Sequence, residues 1–358
     1  MAEMTHFLVD RADIHKHTVE NSGDTEITEG EVLLKVDHFA FTANNTTYAA
    51  FGVHMKYWDF FPTREGMGRV PVWGFADVVA SKCEGVEVGE RLYGYYPMSS
   101  HLKVQPVKAS AAGFFDGAAH RQHLSPIYNF YNRTTGDPAY RADMEGLQMV
   151  FRPLFMTSFL IDDFLDDNGF FGAEQIVLSS ASSKTAYGLA FLLAMRGSVK
   201  VIGLTSGGNV DFVKGMGSYG ETVTYGDINT LDASKPTVYV DMAGNGDVRR
   251  DVHVHFGDNL KYSCSVGASH WDQMGSNDNL PGAQPTLFFA PAQGQKRQQD
   301  WGAEGFQART ADAWIKFITK ASGWTNIVTS EGTDKMGEIY DAVTRGTASP
   351  QDGHILKF

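Results

Sequence analysis

The chain has 358 residues, 42% of them apolar, which is enough for a large core and long for one domain. Its formal charge of −12 argues against nucleic acid or an anionic membrane as the main partner, and two cysteines, Cys83 and Cys264, are too few for a disulfide framework or a cysteine-rich zinc site. No basic-then-apolar leader follows Met1 and no apolar run reaches membrane-spanning length, so a cytoplasmic protein without a membrane partner is the expectation.

The first 140 residues read as mostly β. Residues 31–41 alternate like a half-buried strand, 70–80 form a second, and 84–95 read as a turn followed by a third. Residues 110–146 scatter Phe114, Phe115, His120, His123, Tyr128, Phe130, Tyr131 and Tyr140 among Gly, Asn and Pro. They read as a long loop or lid, with a surface elaboration packed by its own aromatics as the alternative. After Leu147 the pattern changes. A helix over 151–165 stops at Asp166-Asp167-Asn168-Gly169. Strands at 175–180, 199–204, 221–225, 237–241, 260–266 and 285–290 then interleave with helices at 184–196, 209–216, 246–255 and 304–321. Such alternation implies an open parallel sheet. A helix at 333–345 and a strand at 353–358 end the chain.

The segment from Gln175 to Ala186 carries the most information. A strand, a turn of very small residues and a helix make the first part of a βαβ unit. In a dinucleotide-binding unit this turn lets the pyrophosphate approach backbone amides at a helix N-terminus, with three glycines supplying the room. Here Ser180, Ser183 and Ala186 stand at those places. Serine hydroxyls can bond phosphate and cap the helix, which makes Ser180, Ser182, Ser183 and Thr185 candidate cofactor ligands. Lys184 is unfavourable against the helix dipole unless an anion is present; the plainer reading is a solvated lysine. The second strand ends in Thr205-Ser206-Gly207-Gly208-Asn209 with no carboxylate before Asp211. Without an acid to bind the ribose hydroxyls, Thr205, Ser206 and Asn209 favour NADP(H) over NAD(H), against a bland reading as loop and helix cap.

Several strings in order and spacing resemble the medium-chain dehydrogenases/reductases: Glu31-Val-Leu-Leu-Lys-Val, Glu87-Val-Gly-Glu-Arg-Leu-Tyr-Gly, the Gln175–Gly197 strand–turn–helix, Phe212-Val-Lys-Gly-Met-Gly with Thr222-Val-Thr-Tyr, Val240-Asp-Met-Ala-Gly, and the Met336–Gly346 and Gly353–Phe358 ending. The zinc-free quinone oxidoreductase and enoyl reductase branches are the most similar. The resemblance implies an α/β protein with a GroES-like β-rich domain, 1–150 completed by 322–358, and a Rossmann doubly wound parallel sheet at 151–321. It places Tyr225 near the 2′-phosphate, and Ala243-Gly244 and Val266-Gly267 beside the nicotinamide. The substrate cleft then lies between the domains.

Zinc-dependent relatives carry a cysteine and a Gly-His-Glu where this chain has Phe39-Ala-Phe-Thr-Ala and Gly74-Phe75-Ala76. Phenylalanine cannot ligate zinc, and His253 and His255 splay apart at a helix end, so no metal is expected. Asn44-Asn45-Thr46-Thr47-Tyr48 falls where the reductase branch has a turn facing the nicotinamide. Tyr48 becomes the candidate proton or hydrogen-bond donor, with Asn44 and Thr46 orienting substrate or ribose; a turn around a packed tyrosine is the alternative. Tyr57, Trp58, Tyr95, Tyr96, His101 and His270-Trp271 are further candidates for a ring-lined cleft, each as easily core, while Lys296-Arg297 reads as an exposed helix face.

The function implied is NADP(H)-dependent, zinc-independent reduction of an α,β-unsaturated carbonyl, quinone or ketone. The alternatives are a relative with weakened cofactor binding that acts as a small-molecule or partner-binding module, and a zinc-free alcohol dehydrogenase. A homodimer through the 260–290 region completes the expectations.

Overall fold

A computed structural model describes residues 3–22, 25–266 and 279–358, arranged as two compact units, Met1–Val150 with Thr325–Phe358, and Phe151–Trp324. No helix among the described residues is long and apolar enough to cross a membrane.

The first unit is β-rich. A hairpin of β1 (Met4–Asp10) and β2 (His17–Ser22) pairs at its edge with β4 (Met67–Gly68). The main sheet is built on β3 (Val32–Phe41), β5 (Pro71–Ser81) and β6 (Arg91–Pro97), which pair antiparallel in that order. The returning strands Asn326–Glu331 and Asp352–Lys357 extend it beyond β3. Alternation explains the packing, since Val32, Leu34, Val36, Phe39 and Phe41 enter one core with Phe7, Trp58, Val72, Tyr96 and Tyr340. Gly74 faces Phe39 across the sheet, where an added Cβ would collide with the His38 carbonyl.

Residues 110–146 are not one long loop, since they contain two strands of the main sheet. β7 (His101–Val104) lies against β3, and β8 (Pro106–Ser110), β9 (Gly113–Asp116) and β10 (Phe130–Arg133) continue the sheet from β6. Arg121 fastens the connection from inside. It is 1% exposed, pairs with Asp116 at 3.1 Å, donates to the Tyr131 hydroxyl at 3.1 Å and lies 4.7 Å over the Phe61 ring. Strands this short carry too few periods to be read from sequence, which left only the loop-like composition visible.

A partly buried ion cluster closes the other side of this unit. Arg91 forks onto Asp77, Asp37 and Glu145, and the His38 ring lies between Asp37 at 2.6 Å and Glu145 at 3.1 Å. Burial works against a charged His38, but its bonds to the two carboxylates outweigh that and raise its pKa above 6.5. The bond from His38 holds Asp37 below the carboxylate range; Glu145 is pushed up by burial but held down overall by Arg91, His38 and Tyr140.

The second unit starts within α2 (Glu145–Asp167) and holds a six-stranded parallel sheet. Its elements are β11 (Gln175–Leu178), α3 (Lys184–Arg196), β12 (Lys200–Thr205), α4 (Val210–Gly215), β13 (Glu221–Thr224), β14 (Thr237–Asp241), α5 (Gly246–Phe256), β15 (Leu260–Ser265), β16 (Pro285–Leu287) and α6 (Ala290–Ala321). The order β13-β12-β11-β14-β15-β16 reverses direction between β11 and β14, as in doubly wound nucleotide folds. Helices cover both faces, so β11 and β14 are buried throughout and read as continuous apolar runs.

Two expectations change here. The last strand stops at Leu287 rather than reaching 290, and the final helix of the unit starts at Ala290, not 304. Gly302, at φ 72°, kinks that helix and hid its first half. Arg297 holds the hidden part to α2 through Asp163 at 2.6 Å and Asp167 at 2.8 Å, so it is a buried anchor and not an exposed face.

The ion cluster makes stability pH-dependent with a definite sign. His38, with a raised pKa, contributes fully below about pH 6.5 and loses that contribution as the pH rises through its folded value. Asp37 and Glu145, with lowered values, contribute above about pH 4.5 and lose it on acidification. Measured against His38→Gln, the wild type should therefore lose relative stability as the pH rises through the folded His38 value. A difference in melting temperature between the two that stays level from acid to alkaline pH would refute the assignment.

Candidate functional site

The site in the second unit is assembled at the carboxyl ends of β11, β12 and β14. β11 runs out into Ser179–Ser183, and Ser183 caps α3 by accepting the Ala186 amide at 3.3 Å. Ser180 takes φ 49°, a left-handed conformation that costs a non-glycine residue roughly 1 kcal/mol or more. Three hydrogen bonds hold the turn there. The Ser180 amide donates to the Tyr225 hydroxyl at 3.0 Å, its carbonyl accepts the Ser183 amide at 2.7 Å, and the Ala181 amide donates to Leu204 at 2.9 Å. The room that glycines usually give the turn comes instead from the neighbouring strand. Gly203 in β12 lies under Ala181, where an added Cβ would stand 2.8 Å from the alanine methyl.

Ser182 accepts from the Asn209 side chain at 3.2 Å, which ties the first turn to the loop after β12. Ser206 is exposed at the head of that loop, and Thr205 is buried with a hydroxyl that has no protein partner. Lys184 is the first residue of α3, and the Thr185 carbonyl accepts the Ser158 hydroxyl at 2.7 Å. The structure thus joins Ser180, Ser183 and Tyr225 by one set of hydrogen bonds and Ser182 with Asn209 by another. Burial raises the pKa of Tyr225, so its hydroxyl stays neutral.

Ala243 and Gly244 follow β14, with Gly244 at φ 76°. Asn245 caps α5 by accepting the amides of Asp247 at 3.0 Å and Val248 at 3.1 Å. The Val266 amide donates to the Asp241 carbonyl at 2.9 Å. Gly267, His270 and Trp271 lie outside the described residues. Sequence reasoning missed Gly203, Ser179 and Asp241. The last ends the apolar run Val238-Tyr239-Val240 with a carboxylate, which was the available signal.

In the first unit, the segment expected as a turn is the helix α1 (Ala43–Ala50). Asn45 is structural, since it accepts the Thr42 amide at 2.7 Å and donates to the Pro71 carbonyl at 2.9 Å. Asn44 and Tyr48 are one turn apart and share a hydrogen bond, whereas Thr46 faces away from them, its hydroxyl buried without a partner. The Tyr48 hydroxyl accepts from Trp73 Nε1 at 3.4 Å, and its ring packs on Tyr57 at 4.6 Å and Tyr95 at 5.6 Å. Tyr128, from the inserted segment, bonds both Tyr48 and Tyr57. Burial pushes the Tyr48 pKa far up, so the phenol keeps its proton and acts as a donor. Tyr57, Trp73 and Tyr128 are half-buried and form the accessible side. Trp58 and Tyr96 belong to the main core, and His101 pairs with Ser100. His253 and His255 diverge, the first to Pro281 and Ser263 and the second to Leu231.

The chain has the fold of the medium-chain dehydrogenases/reductases that its sequence resembles. CurA from Vibrio vulnificus, solved in complex with NADPH, superposes with a TM-score of 0.66 at 11% identity, covering 99% of this chain and 98% of that one. The yhdH oxidoreductase from Salmonella enterica, in complex with NADP, gives 0.57 at 12% identity over 99% of each chain. A mutant enoyl thioester reductase from Candida tropicalis gives 0.56 at 10% over the whole of both. Residues 39–349 match the family described as "Protein of unknown function (DUF2855)", and the chain belongs to that family. No curated protein matches its sequence.

Asn245→Ala removes a cap that satisfies two amides at the site's edge. It should destabilise the protein by about 1 kcal/mol, seen as a lower urea midpoint. An unchanged midpoint would show that the cap is dispensable.

Proposed function

We propose that the protein is an NADP(H)-dependent, zinc-independent reductase of an α,β-unsaturated carbonyl, quinone or ketone. The observation that carries this reading is the serine-built turn at the strand-order reversal, opening onto the capped N-terminus of α3 and flanked by an acid-free loop after β12. The likeness to CurA and to the yhdH oxidoreductase, both solved with the phosphorylated dinucleotide, supports it.

The residues present fit the cofactor. The α3 N-terminus with Ser182, Ser183, Lys184 and Thr185 suits a pyrophosphate. The buried Thr205 hydroxyl lacks a partner that a ribose can supply, and an added Cβ at Gly207 or Gly208 meets nothing within 4 Å. Ser206, Asn209 and Tyr225 offer neutral donors to a 2′-phosphate. Ala243, Gly244, Val266 and Gly267 are assigned to the nicotinamide side. The cofactor supplies the hydride. The chain supplies the second half of the reduction: the neutral Tyr48 phenol, bonded to Asn44, donates a hydrogen bond to the substrate oxygen where charge develops, and Tyr48 or a water gives the proton. Zinc independence has its own support. Asp37, His38 and Glu145 do bring three possible ligand atoms within 4.8 Å of one another, but Arg91 and the His38 ring already take up their carboxylates. The exposed Leu287 and Phe289 beside the edge strand β16 support a homodimer through that edge.

Three measurements test the proposal. Titration followed by nicotinamide fluorescence should give NADPH binding at least tenfold tighter than NADH. Lys184→Ala should weaken NADPH by a few-fold up to about tenfold, as one charged contact to an anion is lost. No binding of either dinucleotide would overturn the reading in favour of a binding module. Tyr48→Phe should lower kcat with enones or quinones by about a hundredfold while leaving NADPH affinity intact; unchanged kcat removes Tyr48 from the mechanism. Sedimentation as a monomer would sink the dimer.

A further inference from the structure

The turn after β11 and the loop after β14 meet at the point where strand order reverses, and one buried carboxylate bonds both. Asp241, 1% exposed, accepts the Ser179 hydroxyl at 2.9 Å, the Gly244 amide at 2.9 Å and the Ala243 amide at 3.3 Å on the same oxygen. Its other oxygen faces the buried Arg249 of α5 at 3.4 Å. The Ser179 hydroxyl in turn accepts the Met242 amide at 2.9 Å. The Met242 amide thus reaches across to Ser179 at the end of β11, while the Ala243 and Gly244 amides turn back onto Asp241 of their own strand, and the Ser179–Asp241 bond joins the two. Ser179 is the residue immediately before Ser180, whose positive φ begins the phosphate turn.

We propose that Ser179 and Asp241 are positioning residues that set the spacing between the phosphate-binding turn and the nicotinamide-side loop, a task made necessary by a turn built of serine and alanine. The inference rests on the NADP(H) reading. A turn rich in glycine can settle around its ligand, because its backbone has free choice of φ. This turn has no such freedom and must be held in a fixed place relative to the second loop. The charged acceptor makes the hold strong, since hydrogen bonds to a carboxylate exceed neutral ones. Neither residue need touch the cofactor.

The experiment compares two probes on the full-length protein. 2′,5′-ADP engages only the α3 end, the loop after β12 and Tyr225, whereas NADPH must span from there to Ala243-Gly244. Ser179→Ala should weaken NADPH about tenfold and 2′,5′-ADP less than twofold. Asp241→Asn should show the same asymmetry, and Ser179→Thr, which keeps the hydroxyl, should restore NADPH. A parallel loss for both probes, or no loss for either, overturns the proposal, because a purely structural role does not distinguish a half-length ligand from a full-length one. Thermal melts of each variant identify those that fail to fold, and Ser179→Ala then decides on its own. Wild-type protein that binds neither probe fails the dinucleotide reading itself, and the spacing role falls with it. Wild type that binds both probes, with variants showing no asymmetry, leaves the cofactor reading standing and removes only the spacing role.

Discussion

The parallel pairing of β11 with β12 on one side and β14 on the other is the constraint on which the second unit depends. It fixes which loops meet. Because parallel strands release their chains at the same edge, the turns after Leu178, Thr205 and Asp241 all emerge together. The candidate cofactor-site residues described in this unit lie at that edge. The sheet below it is generic aliphatic packing, with Ile176, Leu178, Val238 and Val240 in one layer and Val177, Ile202, Leu204 and Tyr239 in the other.

At that edge the chain meets a familiar demand with unfamiliar residues. A dinucleotide turn needs slenderness and an unhindered helix N-terminus. Here slenderness is shared across two strands, through Ala181 over Gly203, rather than concentrated in the turn. Ser180 accepts backbone strain that a glycine would avoid, and the Tyr225 hydroxyl helps hold it in place. The result trades adaptability for rigidity. Rigid sites bind well only when they are built to the right spacing, and the proposed role of the buried Asp241 follows from that.

The first unit shows the same preference for internal fastening. Its inserted segment is bound by Arg121, a charge made tolerable inside by Asp116, the Tyr131 hydroxyl and three aromatic faces. That segment places Tyr128 on the Tyr48 cluster, so an elaboration at the sheet edge supplies part of the ring-lined surface. Tyr48 is presented by a capped helix, which gives its hydroxyl a firmer position than a turn provides.

The alternating β and α segments after residue 170 were legible because each buried strand is a continuous apolar run bounded by small residues, and the order of family-like strings followed from the same spacing. The serine turn, the acid-free loop and Tyr48 were visible as residue types at meaningful positions. Other features were not, for physical reasons. β8, β9 and β10 are too short to show a period, and Gly302 disguised one helix as a loop and a shorter helix. The sequence by itself determined the layered α/β class, the absence of glycines from the turn and the want of an acid after β12, since these depend on local pattern and composition. Only the tertiary structure decided that Gly203 makes room for Ala181, that Asn45 is a cap while Asn44 meets Tyr48, and that Asp241 reaches Ser179. Those are contacts between residues that lie on separate strands or on different faces of one helix, and side-chain direction in three dimensions, not distance along the chain, determines them.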